Sequence, residues 1–133
     1  MITEINHIGL CVKSIDETLK IWKQAMGAEE IGRASYPQMG QTSAMIKVGE
    51  AYFELMEPCG EGGLVANFLE KHGEGIHHIS VHTDDLPGDK VRFEEAGVRI
   101  LGNDEDPIVF THPKSFTGTI FEISSGGNEK VEL

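Results

Sequence analysis

The stretch IHHISVHT (Ile76–Thr83) has a counterpart 71 residues earlier, INHIGLCV (Ile5–Val12). In both, β-branched and apolar residues alternate with small or polar ones, the pattern of a half-buried strand. Superposed, the two copies place His78 on His7. A repeat of this kind decides the fold before other features, because each copy is one structural unit. It also splits the doubled histidine. Strand neighbours point to opposite faces, so His77 and His78 cannot both face one site. The repeat selects His78, which shares a face with Ser80. His77 goes with Ile79 and Val81 and is expected to be packed.

Working outward, each strand leads into a helix with a definable start. Ser14 and Glu17 have the spacing of a capping box. Ile15, Leu19, Trp22 and Met26 then recur at helical spacing, and Gly27 is a C-terminal stop. In the second copy Asp85 can cap, and Pro87 falls in the first turn, where a missing N–H costs little. That helical pattern runs through Val91 and Ala96 to Gly97. Strand-like stretches follow at about 28–34, 42–48 and 51–57, and again at about 98–102, 107–111 and 119–124. The last strands superpose as well, YFEL (Tyr52–Leu55) on IFEI (Ile120–Ile123), which places Glu54 on Glu122.

The expected fold class is therefore α+β, with two tandem βαβββ modules in a single domain over 1–133. Module 1 covers about 4–58, a linker helix about 62–72, and module 2 about 74–125. Gly126 to Leu133 is a polar tail with weak strand character.

Eleven Lys and Arg stand against 22 Asp and Glu, for a net charge of −11. That excludes nucleic acid and anionic membrane surfaces as partners, since both demand a basic face. A small anionic substrate stays admissible, because a local site can invert the overall field. The two cysteines, Cys11 and Cys59, form no CxxC pair and imply no disulfide framework. Cys11 falls within a strand and reads as a buried thiol. MITEINHIG carries neither a basic nor a long apolar segment, so no signal peptide is expected. No run reaches the roughly 18 apolar residues that span a bilayer. A reducing cytoplasm is the expected location.

The repeat aligns the metal-capable residues with one another: His7 with His78 on the first strands, Glu54 with Glu122 on the last. Each has small or polar company two residues away, Gly9 beside His7, Ser80 beside His78 and Ser124 beside Glu122. The opposite faces carry Ile8, Leu10 and Val12, then Ile79 and Val81, then Phe121 and Ile123, and read as core. Two imidazoles and two carboxylates suit a borderline divalent ion such as Co, Ni, Zn, Fe or Mn. A lone strand histidine is more often structural, and a lone strand glutamate more often solvated; recurrence of both at matching places favours a site.

The stretches HIGLCVKSIDETLKIW (7–22), FELMEP (53–58), VANFLEKHGEGIHHISVHTDDL (65–86) and FTHPKSFTGTIFEI (110–123) resemble the vicinal oxygen chelate (glyoxalase/bleomycin resistance/dioxygenase) superfamily. Within it they look most like the methylmalonyl-CoA epimerase family. The resemblance covers nearly the whole chain. It implies the glyoxalase fold, with the two modules lining a half-open, barrel-like, metal-lined cavity. It implies that His7, Glu54, His78 and Glu122 hold a divalent metal, that Glu122 is also catalytic, that the substrate is an acyl-CoA thioester, and that the protein is a homodimer.

The implied reaction moves a proton off and onto the carbon between a thioester and a carboxylate. Inversion calls for a second acid–base group on the opposite face of that carbon. Some epimerases carry a glutamate where this chain has Ser43, and serine unaided is no base. Glu50 and His82 are the alternatives. His112 reads as structural, and Lys114 as a solvated loop residue. The acidic stretch Leu101–Pro107 departs from a glycine-rich loop common in such epimerases and is unsuited to contact the phosphates of coenzyme A. Two other readings fit the same residues: a glyoxalase I-type lactoylglutathione lyase, and a metal-free small-molecule-binding protein of the same fold.

Overall fold

In the computed structural model, which describes residues 1–102 and 107–125, the sequence repeat reappears as a repeated strand pairing. The first copy runs β1 (Ile2–Cys11), α1 (Ile15–Met26), β2 (Glu29–Tyr36), β3 (Gln41–Val48) and β4 (Ala51–Pro58). The connecting helix is α2 (Leu64–His72). The second copy runs β5 (Gly75–Thr83), α3 (Leu86–Glu95), β6 (Ile100–Leu101), β7 (Ile108–Thr111) and β8 (Ile120–Ser124). Residues 103–106 of the acidic stretch and the tail 126–133 lie outside the described residues.

The chain divides into two compact units, and the division runs through β1 and β5. Residues 8–77 form one unit; residues 1–7 join residues 78–125 in the other. The N-terminal end of β1 thus belongs with the second module.

In the first unit the strand order is β2-β3-β4-β1. β1 and β4 are parallel, with Gly9 beside Glu54. A parallel pair needs a crossover, which α1 supplies. Ser14 caps α1 by accepting the Glu17 backbone N–H at 3.2 Å, and Gly27 ends it with φ of 69°. Ile15 and Leu19 are buried against Val12, Ala28, Ala44, Ile46 and Leu55. Full burial of an aliphatic side chain is worth about 1.5–3 kcal/mol. Trp22 meets Phe53 edge-on at 5.3 Å. Met26, expected in this stripe, is 47% exposed because the helix ends beside it. The other face of the unit packs Cys11 and Met56 against Val65, Phe68 and Leu69 of α2. The approach to α2 depends on glycine. A Cβ on Gly63, at φ 96°, would lie 2.8 Å from the Met39 carbonyl oxygen.

In the second unit the order is β1-β5-β8-β7-β6. β5 and β8 are parallel, with Ser80 beside Glu122, the counterpart of Gly9 beside Glu54. Asp85 caps α3 by accepting the Gly88 N–H at 3.1 Å. Val81, Leu86, Val109 and Ile123 form the core, with Ile79, Phe93 and Phe121 packed on it. Two expectations change here. The strand expected over 98–102 shrinks to Ile100–Leu101. The inward face of α3 is set by Leu86 and Asp89, while Val91 is 53% exposed. Asp89 turns inward because the Thr83 hydroxyl and the Arg92 guanidinium both donate to it. Burial acts to raise its pKa, but those two donors hold the carboxyl below its ordinary range. No described helix is long and apolar enough to cross a membrane.

Candidate metal centre

Three of the four expected ligands converge within the second unit. His7, near the middle of β1, and His78 on β5 face each other with Nε2 atoms 3.2 Å apart. Glu122 reaches in from β8, its Oε2 3.4 Å from His78 Nε2 and 3.9 Å from His7 Nε2. The side chains are largely sequestered, at 12% exposure for His7, 7% for His78 and 18% for Glu122. The alternation of β5 dictates this: His78 and Ser80 are buried on one face, while Ile79 and Val81 pack in the core.

The fit to an ion is a matter of spacing. Ligand atoms held about 2.0–2.2 Å from one ion lie about 3.0–3.5 Å apart at right-angled to tetrahedral geometry. The 3.2 and 3.4 Å separations fall in that range, and 3.9 Å corresponds to a wider angle. Asn6 supports the arrangement. Its Oδ1 is 2.7 Å from His7 Nδ1, so that nitrogen donates and the Nε2 lone pair is left as a ligand. The donor set therefore fits a divalent cation.

Glu54 belongs to the first unit. It lies half-buried on β4 beside Gly9, whose place on β1 is two residues beyond His7. Its charge is felt by Cys11, a free thiol that is wholly buried. Burial first, and the Glu54 carboxylate second, push the Cys11 thiol up to about 11.

The remaining candidates separate clearly. His77 meets Phe68 of α2 edge-on at 5.3 Å and lines a shallow groove with Leu64, Asn67 and His72, as a packed residue should. His112 caps a short 3-10 turn over Pro113–Ser115, its Nδ1 accepting the Lys114 N–H, and Lys114 is exposed. Ser43 is wholly buried and its Oγ accepts from Gln41 Nε2 at 2.9 Å. Glu50 lies exposed in the β3–β4 turn. His82 is buried on the same face of β5 as His78. Sequence reasoning missed Asn6, because strict alternation assigns it to the face opposite His7. It also missed Glu4, whose Oε1 lies 3.7 Å from His82 Nδ1.

Comparison with known proteins bears on this geometry. Residues 6–111 match the family model of the Glyoxalase/Bleomycin resistance protein/Dioxygenase superfamily. The ethylmalonyl-CoA/methylmalonyl-CoA epimerase of Cereibacter sphaeroides is 34% identical over 131 residues, covering 92% of this chain and 98% of the relative. A methylmalonyl-CoA epimerase of Streptomyces coelicolor, solved as a variant in complex with 2-nitronate-propionyl-CoA, superposes with a TM-score of 0.80 at 30% identity. The match covers 92% of this chain and 96% of that one. A methylmalonyl-CoA epimerase in complex with methylmalonyl-CoA and NH4+ superposes with a TM-score of 0.78 at 30% identity, covering 92% and 94%.

Proposed function

The chain belongs to the glyoxalase/bleomycin resistance protein/dioxygenase superfamily, and on that footing we propose that it is a metal-dependent epimerase acting alpha to a thioester, with methylmalonyl-CoA as its substrate. The observation that carries the reading is the convergence of His7 Nε2, His78 Nε2 and Glu122 Oε2. His7, His78 and Glu122 hold the divalent ion, together with Glu54 from the matching position of the repeat. Its identity is one of Co, Ni, Zn, Fe or Mn, the borderline ions that such N/O donors take.

Removing a proton from carbon requires that the resulting enolate charge be stabilised where it develops. When bound, the ion supplies Lewis-acid stabilisation to that charge. Asn6 holds the His7 tautomer, and the low exposure of the site excludes water. Glu122 takes the α-proton. One of its oxygens faces the histidines, and the carboxylate has a second for the proton. The relatives reported are named for CoA epimerases, which supports an acyl-CoA substrate. The lyase alternative has no such support. The same reading expects a cytoplasmic homodimer, in keeping with two free cysteines.

The test is isotopic. Metal-loaded protein incubated with methylmalonyl-CoA in deuterated water should replace the α-proton with deuterium, seen by NMR. No exchange at any metal loading would remove the proposal, and turnover of methylglyoxal with glutathione in its place would establish the lyase.

A further inference from the structure

The two faces of β7 differ in character. Val109 is buried among Val81, Leu86 and Ile123. Ile108 and Phe110 alternate with it and so point the other way. Phe110 pairs with Glu122 of β8, and Leu101 of β6 pairs with Phe110. On the far side of Glu122 lies Ser80 of β5, two residues beyond His78. One cross-strand row therefore runs Leu101, Phe110, Glu122, Ser80, on the face that carries His78. Side chains directly opposite in an antiparallel pair have Cβ atoms about 4.5–5.5 Å apart, so Phe110 stands within contact of the Glu122 side chain. Leu101, Ile108 and Phe110 are 37%, 38% and 38% exposed. A single exposed apolar residue is ordinary, but three adjacent ones beside convergent polar groups mark a binding surface.

The substrate supplies a group for that surface to meet. Its α-carbon bears a hydrogen, a carboxylate, a thioester and an alkyl group, and only the alkyl group is apolar. The hydrogen faces Glu122, which takes it. The two oxygen-bearing groups belong on the side of Glu122 where His7 and His78 stand, toward β5 and β1. The side toward β7 is left to the alkyl group. We propose that Phe110 determines specificity for that group: its ring is the wall against which the α-alkyl substituent packs, and Leu101 and Ile108 extend the wall for longer chains. This rests on the epimerase reading and deepens it. The ring neither takes nor gives a proton. It acts by contact with the substrate and sets how large an alkyl group fits beside Glu122.

The experiment compares Phe110→Ala, Phe110→Leu and Phe110→Trp with the parent enzyme on methylmalonyl-, ethylmalonyl- and propylmalonyl-CoA. It reads kcat/KM for α-proton exchange in deuterated water. Calorimetric affinity for each equilibrated substrate, melting temperature and bound metal are measured alongside. A mismatch of one methylene in an apolar pocket is worth about 10–200-fold. Phe110→Ala should raise the ratio of propylmalonyl to methylmalonyl turnover by about that factor, and Phe110→Leu by less. Phe110→Trp should lower it. Affinities should shift in the same order, with bound metal unchanged. An unchanged ratio, an equal fall for all three substrates, loss of metal from the variants, or loss of the fold in all three would overturn the role of Phe110. Absence of exchange in the parent enzyme with all three substrates would instead overturn the epimerase reading, and this proposal with it.

Discussion

Cys11 and His82 hold the same place in the two copies, each four residues beyond an aligned histidine. Their surroundings differ in kind. Cys11 is sealed beneath α2 among Met56 and Val65, with its thiol pushed up to about 11. His82 is also buried but has a carboxylate near it and a ring nitrogen with no hydrogen-bond partner among the described residues. The helices diverge in the same way. α1 buries Ile15 and Leu19, whereas α3 buries Leu86 together with a hydrogen-bonded Asp89. The repeated strands keep their backbone register, Gly9 beside Glu54 and Ser80 beside Glu122. Duplication thus preserves the aligned histidines and glutamates, and the packing around them is free to become apolar in one copy and polar in the other.

The largest expected effect falls on the feature the copies share. His78→Ala should empty the metal site and lower turnover by roughly 10³-fold, the scale of losing a Lewis acid worth several kcal/mol. His77→Ala should keep the metal and cost about 1 kcal/mol from the lost edge contact with Phe68. Metal analysis and thermal melts of the two proteins decide; interchanged outcomes would mean that β5 is one residue out of register. Next comes Asn6. Asn6→Leu should weaken metal affinity about 10–100-fold, read by chelator competition, since the His7 tautomer would lose its partner. Unaltered affinity would remove Asn6 from the site.

The helices offer a third contrast. Asp89→Asn should destabilise the protein by about 2 kcal/mol, the range for hydrogen bonds to a charged group. Because the folded pKa of Asp89 is lowered, its contribution is present above the ordinary carboxylate value near 3.9 and disappears as pH falls through the folded value. Denaturant titrations across that range should show a shallower acid limb in the variant, and an identical limb would contradict the assignment. Last comes Cys11→Ser, at about 1–2 kcal/mol for burying a hydroxyl among apolar neighbours. The raised thiol pKa has the opposite sign of effect. Stability should decline as pH climbs above the unfolded cysteine value near 8.5, toward about 11, and the serine variant should lose that decline. Rapid alkylation of Cys11 in the folded protein at pH 8.5 would show the site to be open.

Much of the frame was legible because it is local or periodic. Ser14, Gly27 and Asp85 act on backbone groups within a few residues of themselves, so their roles could be read from spacing alone. Alternation along β5 separated His78 from His77, and the structure keeps that division. Where reading by period failed, a tertiary contact had intervened. The helical period runs through Val91, but hydrogen bonds to Asp89 turn α3 so that Val91 is exposed. Asn6 carries no signal in strand alternation, yet its side chain reaches the ring of its own neighbour.

By itself the sequence determined the repeat, the strand registers and the pairing of His7 with His78 and of Glu54 with Glu122, since each follows from side-chain period and chain offset. Only the tertiary structure decided that His7, His78 and Glu122 come within bonding distance of one centre, that Asn6 sets a tautomer, and that Glu4 lies beside a buried His82. Those are contacts fixed to within about an ångström by strand pairing and packing, often between residues tens of positions apart, and no local pattern in a chain encodes a distance of that kind.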